Sequence, residues 1–96
     1  MLPRRGFAEL RDLHRASTSI VLNIAEGSGR VAPADECRLY VIARGSTTEC
    51  VAILDLVEAG RASSRDRVDR GRVLLIRIIQ MLRKLVARHT TTRGTP

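Results

Sequence analysis

Residues 16–30 read Ala-Ser-Thr-Ser-Ile-Val-Leu-Asn-Ile-Ala-Glu-Gly-Ser-Gly-Arg. They close an amphipathic segment that runs from about Phe7 to Glu26, in which apolar and small residues recur every three or four positions, as one face of a helix requires. That stripe consists of Leu10, Leu13, Ser17, Ile20, Val21 and Ile24. Gly27 and Gly29 are predicted to end the helix, because glycine adopts the left-handed cap conformation without steric cost.

Two further segments carry the same periodicity. The second runs from about Ala34 to Ala59, after Pro33, and its main stripe contains Leu39, Ile42, Ala43, Ser46, Cys50, Ile53, Leu54 and Val57. The third runs from about Arg65 to Arg88, and nearly half of its circumference is apolar. No segment alternates with period two, and the connections are short. The predicted fold class is therefore all-α, an up-down antiparallel helical bundle with three long helices.

Length and composition limit the possible classes of protein. The chain has 96 residues, enough for one domain, which we place at residues 1–89 with a disordered tail at residues 90–96. A hydrophobic content of 44% argues against a disordered basic tail over the whole chain. No apolar run is long enough to span a membrane, and no secretory signal is visible, so the expected compartment is the cytoplasm.

The helices carry more apolar surface than a three-helix monomer covers. The second helix has apolar residues away from its main stripe, namely Tyr40, Val41, Val51 and Leu56. A contiguous apolar patch of this size marks an interaction site in soluble proteins. We therefore expect self-association, or a fourth helix supplied by another chain. Gly45 lies in the middle of the second helix, at a cost near 1 kcal/mol, and suggests either a close helix approach or a local weak point.

Residues 16–30, together with the later stretch Ile-Ala-Arg-Gly-Ser-Thr-Thr-Glu at residues 42–49, resemble the four helix bundle protein family, also called 23S rRNA-intervening-sequence proteins. The accessory variability determinant of diversity-generating retroelements is a related branch. The resemblance implies an up-down bundle that assembles as a ring-like homopentamer and has no catalytic residues. In the related branch it also implies work beside a reverse transcriptase and a basic surface suited to nucleic acid. Family members usually begin with a further helix, so this chain matches a four-helix bundle that lacks its first helix.

Several polar and small residues lie within the two motifs. They are interpreted as structural or interface residues: Asn23, Glu26, Gly27, Arg44, Gly45, Ser46 and Glu49. Glu49 falls at the edge of an apolar stripe and needs a donor, for which the candidates are Arg15, Asn23, Arg30 and Arg44. Glu26 and Arg44 are expected at contacts between subunits or between helix ends. An acid–base pair of Glu26 and Glu49 is disfavoured, because no nucleophile, metal set or phosphate loop accompanies it. The sequence therefore predicts no enzyme, no metal and no cofactor.

Basic charge is concentrated in the last third of the chain. The formal net charge is +7, with +8 over residues 61–96, −3 over residues 31–60 and +2 over residues 1–30. The bases of the third helix form two lines and are predicted to bind nucleic acid: Arg70, Arg77, Lys84 and Arg88 in one, Arg65, Arg72 and Arg83 in the other. With almost no aromatic residues for stacking, contact with RNA or DNA should be to the phosphate backbone. The alternatives are a solvated face paired with acids of the second helix and, for function, a protein–protein interaction module with no role in nucleic-acid binding.

Overall fold

The structure is a computed structural model that describes residues 4–61 and 63–94, with side chains for residues 6–61 and 63–88. It consists of three α-helices: α1 (Arg4–Ser28), α2 (Pro33–Ala59) and α3 (Arg65–Gly94). No strand occurs in these residues. The all-α prediction with three long helices is confirmed. None of the described helices is long and apolar enough to cross a membrane.

The helix limits extend the predicted segments. α2 begins at Pro33, whose fixed φ suits the first helical position, and Asp35 and Glu36 lie in its first turn near the positive end of the helix dipole. α3 continues to Gly94, beyond the predicted end at Arg88 and into the segment assigned to a tail. The helix continues through positions 90–92 because these positions hold threonine and neither proline nor glycine. Residues 95 and 96 lie outside the described residues.

Both connections reverse the chain within a few residues. At the end of α2, the Gly60 N–H donates to the Leu56 carbonyl at 2.9 Å and the Arg61 N–H donates to the Glu58 carbonyl at 3.0 Å. Arg61 has φ 54°, in the left-handed region, whereas no described glycine has a positive φ. The predicted left-handed glycine cap after α1 is therefore wrong. Gly27 lies inside α1, and its lack of a side chain serves packing instead.

α2 lies between the other two helices and packs against both. No Cα atom of α1 lies within 8 Å of one in α3 among the described residues. The buried apolar side chains form two clusters along α2, bridged by the partly buried Ile24 of α1 and Ile78 of α3. The first cluster contains Ala16, Ile20, Cys50, Ile53, Leu54, Val57 and Val68, and the second contains Tyr40, Ala43 and Leu82. The core therefore lies where α2 packs against α1 on one side and against α3 on the other. It is uncovered between α1 and α3.

The residues predicted to lie off the main stripe of α2 have different environments. Tyr40 is 5% exposed and belongs to the core, so its predicted position outside the core is wrong. It is buried because α2 contacts helices on two sides, which widens the covered arc beyond one stripe. Val41 and Leu56 are exposed, as expected, and Val51 is half-buried.

The chain is elongated and leaves much apolar surface in contact with water. Its radius of gyration is 15.6 Å and its extents are 56 × 19 × 13 Å, against about 12.5 Å for the radius of a compact domain of this length. The exposed large apolar side chains of α3 are Val73, Leu74, Ile76 and Met81. The surplus apolar surface expected from the sequence is therefore present on the single chain.

Candidate nucleic-acid interface

Arg72 connects α3 to α2 through carboxylates. Its guanidinium donates to Asp55 Oδ1 at 2.7 and 3.1 Å, to Asp69 Oδ1 at 2.9 Å and to Glu58 Oε2. The hydrogen bonds to Glu58 and then Asp55 raise the pKa of Arg72 further above its ordinary value, and desolvation opposes them. With 24% of its side chain exposed, Arg72 is positioned to hold two helices together rather than to reach a polyanion.

Two other bases near the start of α3 are also paired. Arg70 Nη2 lies 3.2 Å from Asp66 Oδ2, one turn earlier on the same helix. Arg65 Nε lies 3.9 Å from Glu58 Oε1 and 4.0 Å from Asp69 Oδ2. The start of α3 thus matches the alternative interpretation, a basic face neutralised by nearby acids, at three of its four bases; the fourth, Arg67, is exposed without an ion pair in the described residues.

The rest of α3, from Val73 to its end, has a different electrostatic environment, and we call it the second half of the helix. No Asp or Glu occurs after Asp69 in the chain. Arg77, Arg83 and Lys84 are exposed, and the described residues give them no hydrogen bond or ion pair. Arg88 is exposed near the buried Tyr40. Desolvation raises the pKa of the Tyr40 phenol, Glu36 adds to the rise, and Arg88 opposes it. Positive charge that is not neutralised locally is therefore concentrated at one end of the molecule.

A polar seam joins α1 to α2. The Ser19 and Ser46 hydroxyl oxygens are 2.8 Å apart, and Asn23 Nδ2 donates to the Ser19 carbonyl at 2.8 Å and to its hydroxyl at 3.1 Å. Arg15 donates to Glu49 one turn further along, and this hydrogen bond raises the pKa of Arg15. Of the four candidate donors for Glu49, the partner is Arg15. Ser19 was not among the predicted interface residues, although its spacing of four from Asn23 places both on one helix face.

The remaining motif residues have three different environments. Glu26 pairs with Arg30 on its own chain at 3.5 Å. Gly27 is buried, and a Cβ atom there would lie 2.7 Å from Tyr40 Cε1. Gly45 is exposed, and a Cβ atom there would meet nothing within 4 Å. The close helix approach suggested for Gly45 is therefore wrong within the single chain. Arg44 is half-buried; its carbonyl accepts from the Thr48 hydroxyl at 3.1 Å, but its side chain has no hydrogen bond or ion pair in the part of the chain that the structure describes.

Metal-binding groups and the buried cysteine thiol were the remaining candidates for chemistry. No group of three or more His, Cys, Asp or Glu side chains there is placed to hold a metal ion. Cys50 is fully buried, and desolvation raises the pKa of its thiol, with Glu49 adding to the rise and Arg15 opposing it. A buried thiol held in its protonated form is a poor nucleophile.

A cavity of about 260 Å³ opens between the three helices near the start of α1. Its lining comes from all three helices and from Ser63, and is Leu10, Leu13, Leu54, Val57, Arg67, Val68 and Gly71. Apart from Arg67 the lining offers no charged group, so the cavity suits an apolar side chain better than a polar ligand. Arg67 was not among the residues predicted to bind nucleic acid. Its spacing of three from Arg70, which was predicted, could have indicated that it lies on the same basic surface.

The comparisons with known proteins give one family. The family model described as 23S rRNA-intervening sequence protein matches residues 4–84, which include all of the polar seam and most of α3. Comparison with curated proteins gives no match, and neither does comparison with solved structures.

Proposed function

This chain belongs to the 23S rRNA-intervening sequence protein family, and on that premise we propose that it is a non-enzymatic, self-associating helical-bundle protein that binds RNA or DNA. In this proposal it acts in the cytoplasm as an accessory factor to a larger machine. It contacts the phosphate backbone through the second half of α3, and base sequence contributes little to its affinity.

The observation that carries the proposal is the unneutralised charge on Arg77, Arg83 and Lys84. These side chains are exposed and have no carboxylate partner in the described residues, whereas Arg65, Arg70 and Arg72 do. A guanidinium binds phosphate oxygens through two parallel hydrogen bonds, and an ammonium adds a compact charge. The proposed contact set is therefore these three residues with Arg88, while Arg65, Arg70 and Arg72 contribute mainly to the packing of α3.

The aromatic content supports backbone binding over base stacking. Tyr40 is buried in the core, which leaves Phe7 as the exposed aromatic side chain. Single-strand binding proteins stack successive bases on several exposed rings. An interface of Arg and Lys without such rings releases counterions when it binds, so its affinity falls steeply with salt.

Self-association strengthens the proposed contact. A few cations on one chain give weak affinity, but their repetition around an assembly adds up to a field that a polyanion meets at several points. The exposed apolar side chains on all three helices favour such an assembly. The family resemblance implies a ring-like homopentamer, which is the stoichiometry we propose.

A binding measurement with charge-reversed variants tests the proposal. Fluorescence anisotropy with a labelled RNA hairpin and a matched DNA duplex should show binding at about 50 mM salt that weakens at least tenfold by about 200 mM. Arg77→Glu combined with Lys84→Glu should abolish it. Arg11→Glu combined with Arg61→Glu makes the same change of net charge at exposed positions outside the second half of α3, and should weaken binding far less. Equal losses in both pairs, or binding insensitive to salt, would contradict the proposal.

The second candidate function is a protein–protein interaction module without a nucleic-acid role. The open core between α1 and α3 favours it, because that surface suits an apolar helix. A reverse transcriptase is one partner that the resemblance implies. Absence of RNA and DNA binding at low salt, together with co-purification of one defined protein, would favour this candidate over the first.

A further inference from the structure

α2 carries a second stripe on the side away from the core. Val41, Gly45, Thr48, Ala52 and Leu56 follow one another at spacings of four, three, four and four, and all are exposed. We call these five residues the outer stripe. Its side chains are small or apolar and none is charged. The exposed Arg38, Glu49 and Asp55 lie three or four residues from members of the stripe and border it, while the single chain leaves the stripe itself uncovered.

Gly45, the second residue of the outer stripe, has no role in the packing of its own chain. Glycine inside a helix costs about 1 kcal/mol relative to alanine, and the space beside Gly45 is empty to 4 Å. A missing side chain on an exposed helix face lets a second helix approach closely. The helix that would use this space is absent from the described chain.

The complementary surface is the open side of the core, between α1 and α3. On α1, Arg15 and Ser19 mark the edge that faces α2, because they contact Glu49 and Ser46. The opposite edge of the α1 core stripe carries Leu10, Ser17 and Val21.

On α3, Arg72 marks the edge that faces α2, because it contacts Asp55 and Glu58. The opposite edge carries Leu74 and Met81, which are 58% and 57% exposed. This edge and the apolar edge of α1 border a groove whose floor is the core of α2. The cavity of about 260 Å³ is one end of that groove.

We propose that the outer stripe of α2 in one copy docks into the groove between α1 and α3 of a second copy. This inference rests on the proposed self-association and specifies its interface. The contact is heterologous, because each copy uses its stripe toward one neighbour and its groove toward another. Such contacts continue from copy to copy and close into a ring when the rotation between copies divides a full turn.

The charge distribution favours the stripe–groove contact over symmetric contacts, in which two copies meet through the same surface. The segment that contains the stripe has net charge −3 and the segment that contains α3 has +8. Two α2 helices face to face bring acids against acids, and two α3 helices bring bases against bases. When the stripe of one copy lies against the α3 edge of the next, opposite charges meet. This favours the stripe–groove contact over contacts between two α2 helices or two α3 helices.

The accessible area agrees with two patches per copy. The chain exposes 6892 Å², whereas a folded monomer of 10.6 kDa exposes about 5,500 Å² by the scaling of area with mass. The surplus of about 1,400 Å² is close to twice the roughly 800 Å² that each side of a standard interface buries. The elongated shape of the chain contributes to this surplus, which is large enough to include the proposed contact.

Light scattering coupled to size separation gives the first test. Gly45→Arg places a bulky cation on the stripe, and Leu74→Arg places one on the groove edge, both at exposed positions. Each should reduce the molar mass to that of a monomer, with the helical circular-dichroism signal retained. Ala87→Arg adds the same charge to an exposed position of α3 away from both surfaces and should leave the mass unchanged.

Mixed cross-linking gives the second test. In a Cys37→Ser background, which leaves only the buried Cys50, one batch carries Gly45→Cys and the other carries Leu74→Cys or Met81→Cys. A short bismaleimide should cross-link the mixture, and neither batch alone. Cross-linking of the Gly45→Cys batch by itself indicates a symmetric contact between α2 helices and overturns the proposal, as does a mixture that fails to cross-link with either partner.

The same samples separate this inference from the proposed function. A wild-type chain that is monomeric at all concentrations overturns both self-association and the stripe–groove contact, while its RNA binding is measured independently. An oligomeric wild type that neither Gly45→Arg nor Leu74→Arg dissociates overturns the stripe–groove contact alone. If Gly45→Arg loses its helical signal, the Leu74→Arg variant decides the outcome.

Discussion

Gly27 and Gly45 have opposite surroundings, although each belongs to one of the two motifs. Gly27 is buried beneath the ring of Tyr40, near the end of α1. Gly45 lies on the exposed side of α2 with free space beside it. The first glycine is required by the packing of the single chain, whereas the second costs helix stability and gains nothing in return within that chain. Substitution to alanine should therefore act in opposite directions at the two positions.

Gly27→Ala should destabilise the fold by about 1–3 kcal/mol, the usual cost of overpacking. The new Cβ would lie 2.7 Å from Tyr40 Cε1, 3.0 Å from Tyr40 Cδ1 and 3.4 Å from Leu39 Cβ, and the ring has no free space to move into because it is buried. Urea denaturation followed by circular dichroism measures the loss. Gly29→Ala is the matched control, since its nearest atom would be at 3.6 Å; an equal loss there would refute the packing explanation.

Gly45→Ala should raise the unfolding free energy of the monomer by about 1 kcal/mol, through helix propensity and the lower entropy of the unfolded chain. For a domain of this size that is a rise in thermal midpoint of about 4–8 °C. The measurement belongs in the Leu74→Arg background, where association does not contribute. A lower midpoint there would mean that Gly45 has a role within its own chain.

Cys50 makes the fold sensitive to alkali. Burial holds the pKa of its thiol above the ordinary value, so between the unfolded and folded pKa values the native state binds more protons than the unfolded state. The unfolding free energy should therefore be intact below about pH 8.5 and fall as the pH rises above it. Urea titrations at increasing pH measure this slope, and Cys50→Ala should flatten its first part. A slope that is unchanged in the variant would assign it to other groups.

Among the described contacts, the carboxylate cluster around Arg72 ties α3 to α2 at one end of the bundle, as the Ser19–Ser46 seam ties α1 to α2 nearer the middle. Arg72→Ala should lower the thermal midpoint by several degrees, because it leaves Asp55, Glu58 and Asp69 close together without their shared cation. Arg70→Ala removes a surface pair within α3 and should change stability by no more than about 0.5 kcal/mol. Equal effects would show that the cluster adds nothing beyond an ordinary surface charge.

The positions of the helices can be predicted from local sequence pattern, whereas the burial and the partners of their side chains cannot. Pro33 and Gly60 and the 3.6-residue periodicity place α2 almost to the residue, since those signals act within a few positions along the chain. The burial of Tyr40 depends on which helices flank α2, and the pairing of Arg72 depends on the register of α3 against α2. Position-by-position reasoning therefore places Arg65, Arg70 and Arg72 with Arg77 and Lys84, although only the first three meet acids.

At the scale of the whole molecule, the proposed association should be coupled to folding. The groove that a second copy would cover borders the core itself, so a bound copy stabilises the native state and not the unfolded one. The thermal midpoint should accordingly rise with protein concentration. Differential scanning calorimetry over about a hundredfold range of concentration measures the trend. The Leu74→Arg variant should show a midpoint independent of concentration, and a flat wild-type response would argue for a chain that folds alone.

The length of the molecule, 56 Å against a thickness of 13 Å, governs how it moves through solution. A rod experiences more friction than a sphere of equal mass, so it diffuses more slowly and leaves a gel-filtration column earlier. A single copy calibrated against globular standards would thus be mistaken for a larger particle. A closed ring of such rods is rounder, and its sedimentation would approach that of an ordinary globule, so the frictional ratio itself distinguishes the lone chain from the ring.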